Sequence, residues 1–183
     1  KLDLKGIYYI PRIIKSFKLG DAAILKELII ILAENDIKVI KSNFFNPELT
    51  LKKGIYTKSK PSKKDLDEIK TGVKSLNKLS FYNHTQAIII RDNKVILKET
   101  SRGTKRMIQI AGKTKIKRGM LIKFPKKKQD LRADLPTIGF ETLKDCKKAN
   151  LKGIILKSNQ NIFLDQKKSI KFANKNNIFV YVS

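Results

Sequence analysis

From Met120 to the C-terminus, short apolar runs alternate with amphipathic stretches of helix length: "MLIKF", "FETLKDCKKAN", "GIILK", "DQKKSIKFANKNN" and "IFVYV". Consecutive strands joined through a helix pair in parallel, because the crossover returns the chain to the same edge. The pattern therefore predicts an α/β fold with a mixed, largely parallel sheet flanked by helices. Upstream, "AIIIRDNKVILKET" adds a β-hairpin, with Asp92-Asn93 at the turn between two β-branched runs. "NIFLD" suggests one more strand, and Asp165 is placed to cap the helix that follows it.

The N-terminal part reads differently. Residues 21 to 35 are expected to form a helix capped by Asp21, with Ile24, Leu25, Leu28, Ile31 and Leu32 as its apolar stripe. "IKVIK" then suggests a strand. A turn-rich stretch from Phe44 to Pro61 marks a boundary, so residues 1–52 are expected to be the remnant of a preceding α/β domain and 53–183 a second α/β domain. Ser62 and Asp65 have the spacing of a capping box that opens a helix over 63–79.

Composition narrows the function classes. The formal charge is +25, from 41 basic and 16 acidic residues. Such a surface attracts polyanions: nucleic acid, anionic lipid or phosphorylated substrates. The lysines are spread along the whole chain, and only six basic residues are Arg, a mixture that also fits drift in an A/T-rich genome. A diffuse basic surface is the simpler explanation than a dedicated nucleic-acid site. The longest apolar run, Leu28 to Ala33, is far short of a membrane span. The chain opens on Lys1 with no leader-type stretch, which points to a fragment or a processed chain. A single cysteine, Cys146, excludes an internal disulfide and fits a cytoplasmic location.

The segment "QDLRADLPTIG", residues 129–139, concentrates opposite charges. Pro136 biases Leu135 toward extended backbone. In an extended segment Asp130, Arg132 and Asp134 share one face, and Leu131, Ala133 and Leu135 the other. An acid–base–acid row can hold a cation and a phosphate; the same spacing equally describes a solvated charge ladder.

Elimination leaves few chemistries. One histidine, His84, and one cysteine cannot build a zinc cluster, and there is no phosphate-binding GxxxxGK[ST] or GxGxxG loop. Cys146 in mid-helix and His84 before a strand are expected to be structural or surface residues. Any metal would be hard and oxygen-ligated, Mg²⁺ or another divalent cation, with Glu99, Asp130, Asp134 and Asp165 as the candidate acids. Arg132 offers a planar fork to phosphate oxygens, and Lys123, Lys126, Lys127 and Lys128 add positive potential. Together they describe a site for breaking a phosphate ester or anhydride. The plain alternatives are that Asp165 only caps a helix, Glu99 is an exposed hairpin residue and the lysines are a solvated loop.

"LIKFPKKKQDLRADLPTIGFET" resembles the signature of the LpxI-type UDP-2,3-diacylglucosamine pyrophosphatases. The likeness extends through "LKGIILKSNQNIFLDQKKSIKFANKNNIFVYV", "YTKSKPSKKDLDEI", "QAIIIRDNKVILKE" and "GTKRM", and back to "LGDAAILKELIIILAENDIKVI". It implies two α/β domains with ligand held between them. It implies hydrolysis of the diphosphate of UDP-2,3-diacylglucosamine to UMP and lipid X in lipid A biosynthesis, with Mg²⁺ or another divalent cation. The family's catalytic aspartate falls on Asp134, also the candidate metal ligand, with Asp130 beside it as an orienting or second acid. Arg132, Gln129, Thr137, Lys123 and Thr104 are the substrate-binding candidates. The implied partner is the lipid-linked UDP-sugar, met by peripheral contact with the inner membrane. No specific nucleic acid is implied, and a homodimer is compatible.

Three departures from the family pattern stand out. Its Glu-Gly-Thr-Asp reads Arg102, Gly103, Thr104, Lys105 here, so Lys105 is available to meet phosphate directly. Its Asp-Ile-Gly-Gln reads Asn83, His84, Thr85, Gln86. The Gly-rich loop that opens the family's first domain is absent. The alternative function is a non-catalytic, degenerate homologue that binds anionic ligands such as nucleic acid.

Overall fold

Ala87 to Ile90 are buried without interruption, which only a strand covered on both faces achieves. The computed structural model describes residues 3–82, 85–114, 118–127 and 129–183. The expectations for Asn83, His84 and Lys128 lie outside the described residues. By packing, the chain divides into two units, one comprising the residues up to Pro47 with Gln129–Leu135, the other the remainder from Glu48.

The second unit holds the sheet. Its strands are β1 (Gly54–Ile55), β2 (Ala87–Arg91), β3 (Lys94–Lys98), β4 (Met120–Lys123), β5 (Thr137–Ile138), β6 (Gly153–Leu156), β7 (Ile162–Phe163) and β8 (Phe179–Val182). Six of them form one sheet in the order β1-β8-β6-β4-β2-β3, while β5 and β7 form a separate parallel pair. The centre, β4, β6 and β8, runs parallel, as the strand–helix alternation predicts; β1 and the β2–β3 hairpin complete it antiparallel. Asp92 and Asn93 both take positive φ, the requirement of a tight hairpin turn.

Alternate residues on each strand serve opposite layers. Ala87, Ile89, Leu121, Ile154 and Val180 pack with Met107, Ile108 and Ala111 of α4 (Gly103–Lys113), Leu143 and Cys146 of α5 (Phe140–Lys148) and Ala173 of α6 (Gln166–Lys175). Ile88, Ile90, Met120, Ile122, Ile155 and Phe179 pack with Ile69 and Leu76 of α3 (Lys63–Tyr82) on the other face. The capping box forms: Ser62 N donates to Asp65 Oδ2 (2.9 Å) and Asp65 N to Ser62 Oγ (3.2 Å). Two expectations change here. Helix α4 stands where the sequence pattern marked no element, because its apolar residues are few. Asp165 sits at the N-cap of α6, but its left-handed φ of 49° leaves the side chain without a capping bond.

In the first unit, α1 (Leu4–Phe17) and α2 (Asp21–Glu34) pair through Arg12, whose Nε meets Glu27 Oε1 (2.6 Å) and Nη1 meets Glu34 Oε2 (2.6 Å). Gly20, not Asp21, is the N-cap of α2. The expected apolar stripe is only half-buried, Leu28 is exposed, and Ile29 is the α2 residue that becomes buried. "IKVIK" does not form a strand: Asp36 turns left-handed (φ 59°) and Ile37 N bonds back to Leu32 O (2.9 Å), closing the helix. Among the described residues this unit contains no strand edge on which the segment could pair.

Candidate active site

The site candidates divide between the two units: Gln129, Asp130, Arg132 and Asp134 in the first, Thr104, Lys123 and Thr137 in the second.

Residues 131–133 form a turn, not the extended row that Pro136 suggested. Proline constrains only the residue before it, and Asp130 decides the rest. Its Oδ1 accepts from Arg132 N (2.9 Å), an Asx turn, while its carbonyl accepts from Ala133 N (3.3 Å) and Asp134 N (3.1 Å). The same carboxylate grips the Arg132 side chain, with Nε at 3.0 Å from Oδ1 and Nη2 at 2.7 Å from Oδ2. This bond holds the Asp130 carboxyl below the usual carboxylate range and raises the guanidinium. Arg132 keeps Nη1 for another anion. It lines a cavity of about 260 Å³ with Ile29, Ala33 and Asp36–Val39. That volume falls short of a site for a whole drug-sized ligand. Asp134 is half-buried, and its carboxylate has no hydrogen-bond or ion-pair partner among the described residues. Gln129 is buried.

In the second unit the carboxyl end of the central strand β4 gathers the other candidates, the edge where parallel sheets place ligands. Lys123 is buried and its ammonium donates to the Thr137 carbonyl (3.1 Å). Thr137 itself is exposed. Asn161, also buried, ties the ends together: Nδ2 donates to Lys123 O (3.1 Å) and Pro136 O (3.4 Å), and Oδ1 accepts from Lys157 N (2.8 Å). Nothing in the sequence singled out Asn161, because a buried amide strut has no spacing signature.

Next to β4, Phe124 N bonds to Gln86 O (2.9 Å) and Glu99 N to Ala87 O (2.9 Å), extending the ladder toward the same edge. Glu99 is buried here, against its reading as an exposed hairpin residue. It accepts from Thr104 Oγ1 (2.5 Å) at the start of α4 and from Gln86 N (3.2 Å). Gln86 Oε1 is buried without a hydrogen-bond partner, an acceptor that a ligand's donor would satisfy. Arg102 and Lys105 are exposed. Asp165 is the N-cap residue of α6, and its side chain makes no capping bond. Cys146 is fully buried and burial pushes its thiol far up, so it is no nucleophile.

Among the described residues no three His, Cys, Asp or Glu side chains gather into a ready-made metal cage. Asp130 is occupied by Arg132 and Glu99 by Thr104. Asp134 alone offers the motif an unengaged carboxylate. One carboxylate fits Mg²⁺, which keeps several waters and takes further ligands from substrate phosphate.

The family model of the LpxI C-terminal domain matches residues 52–181, which include β1 to β7, the motif and most of β8. The chain belongs to the LpxI family. A curated relative, the UDP-2,3-diacylglucosamine pyrophosphatase LpxI of Caulobacter vibrioides, is 25% identical over 186 aligned residues. The alignment covers 97% of this chain and 66% of the relative, so the chain spans just under two thirds of that protein's length. The residues matched include Asp134, Leu135, Pro136 and Thr137. Among the described residues, no helix is long and apolar enough to cross a membrane.

Proposed function

We propose that this chain hydrolyses the diphosphate of UDP-2,3-diacylglucosamine to UMP and lipid X, a step of lipid A synthesis; its Caulobacter relative is a UDP-2,3-diacylglucosamine pyrophosphatase. The observation that carries the reading is Asp134: its carboxylate is unengaged, two residues after an arginine already oriented by Asp130, within the stretch that the LpxI family model matches.

The division of labour follows from the bonds each group has left. Arg132 offers Nη1 to a phosphate oxygen, in a position fixed by its own carboxylate partner. Asp134 orients the attacking water and accepts its proton as the P–O bond to the bridging oxygen breaks. Asp134 would also hold the divalent cation, which supplies charge neutralisation on the diphosphate. Lys123 and Asn161 fix the carboxyl edge of β4 to the strand that follows the motif. We place the protein in the cytoplasm, in peripheral contact with the inner membrane where such a lipid resides.

The test is product analysis in ¹⁸O-water with the full-length protein and UDP-2,3-diacylglucosamine. UMP and lipid X in equal amounts, one of them carrying the label, support the reading and identify the phosphorus attacked. Absence of UMP at any divalent-cation concentration contradicts it.

One observation favours a second reading, a non-catalytic binder of anionic ligands: exposed Arg102 and Lys105 stand where the resemblance places acids. Tight, salt-dependent binding of nucleic acid with no turnover would select it.

A further inference from the structure

We infer that the groove between α6 and the segment after β1 is a docking surface for an anionic lipid bilayer. Tyr56 and Lys58 form one wall, and Lys167, Ile170 and Lys171 of α6 the other. Helix α6 carries four lysines and no acid. Among the described residues, none of Lys58, Lys167 and Lys171 has an ion-pair partner. The opposite face of the sheet differs: α3 carries Asp65, Asp67 and Glu68 among its lysines, and pairs Lys70 with Asp67 at 3.1 Å. Both faces belong to a basic molecule, yet α6 carries its four lysines with no acid on the helix, whereas α3 sets three acids among its lysines.

The walls distinguish a bilayer from other polyanions. Tyr56 and Ile170 add apolar surface to walls that also carry Lys58, Lys167 and Lys171, and lysine stems can cover such surface while their ammonium groups stay in water. An apolar body with a cationic rim matches the boundary between acyl chains and anionic headgroups; a nucleic-acid groove stacks bases on several aromatics instead. Helix α6 also follows the carboxyl end of β6 by way of β7, so it starts at the edge that carries Glu99, Thr104 and Lys123. The choice of lipid as the polyanion rests on the lipid-linked substrate proposed above; the surface itself does not.

The experiment is flotation of the full chain with phosphatidylcholine vesicles, with and without phosphatidylglycerol, at physiological salt. A Lys167→Glu/Lys171→Glu pair is compared with Lys74→Glu/Lys78→Glu on α3, which changes net charge equally. The wild type is expected to float only with phosphatidylglycerol. The α6 pair should lose at least about tenfold in binding, and the α3 pair less than about threefold. A Lys167→Gln/Lys171→Gln pair should lose an intermediate amount. Equal losses from both charge-reversed pairs would overturn the assignment, since net charge alone would then drive adsorption. Tighter binding to duplex DNA than to the vesicles would overturn it as well. The readout is binding, so its failure leaves hydrolysis of detergent-dispersed substrate intact, and loss of hydrolysis leaves the surface intact.

Discussion

Arg132 divides its donors between two duties: Nε and Nη2 go to Asp130, and Nη1 remains for a ligand. Asp130→Asn keeps the turn's backbone geometry but removes the charge that holds the fork, so kcat/KM should fall about tenfold, ~1.4 kcal/mol of transition-state binding. The pH dependence follows from the sign of the shift. Asp130 is lowered in the folded chain, chiefly by the Arg132 bond, so the pair is complete above the usual carboxylate range and is lost only as pH falls through the lowered value. The acid limb of kcat/KM assigned to this pair should therefore lie below the ordinary range and vanish in Asp130→Asn. Cys146 should react with a thiol reagent only after denaturation, given its complete burial. At this scale the sequence was a partial guide. That Asp130 and Arg132 stand close together was legible from their spacing. The grip of Asp130 on Arg132 was not, because a strand reading set the two on one face as independent groups, whereas an aspartate two residues before an N–H readily forms an Asx turn.

The elements are tied together by contacts that a few substitutions test. Lys152, just before β6, donates to Asp65 in the first turn of α3 at 2.5 Å. Burial alone would raise the Asp65 carboxyl, but the bonds from Lys152 and Ser62 outweigh it and the net shift is downward. The pair's contribution is complete above the unfolded carboxylate pKa and disappears as pH falls through the folded value. Lys152→Ala should cost about 1–3 kcal/mol at neutral pH in urea unfolding, and the difference from wild type should shrink in acid. Gly153 pairs with Phe179 across β6 and β8, and a Cβ there would meet the ring at 2.3 Å. Gly153→Ala should therefore destabilise by about 1–3 kcal/mol, since an aromatic in a packed layer has no room to yield. Elements with strong local signals were legible: the hairpin through Asp92-Asn93, α3 through its capping box, and the parallel centre through alternation. Helix α4 was not, because its buried side is only Met107, Ile108 and Ala111. "IKVIK" has strand composition but no partner, and pairing, not propensity, makes a strand.

For the whole molecule, a formal charge of +25 on 183 residues means that like-charge repulsion opposes folding. Added salt in the moderate range should raise Tm, an effect that neutralising surface substitutions would reduce. The assignment of Gln129–Leu135 to the first unit was not visible in the sequence, where the motif reads on from β4. Such a partition depends on which distant residues pack together, and no local pattern encodes it. The family membership was legible from the segment at 129–139 and the order of strands and helices, although the Caulobacter relative is only 25% identical. The central claim is that the carboxylate of Asp134 acts in diphosphate hydrolysis. The most direct measurement is the rate of UMP release from UDP-2,3-diacylglucosamine by the full-length protein and by Asp134→Asn, with circular dichroism to confirm that both are folded. We expect a fall of at least about a hundredfold in the variant with an unchanged spectrum; UMP release at the wild-type rate by a folded Asp134→Asn protein would contradict the account.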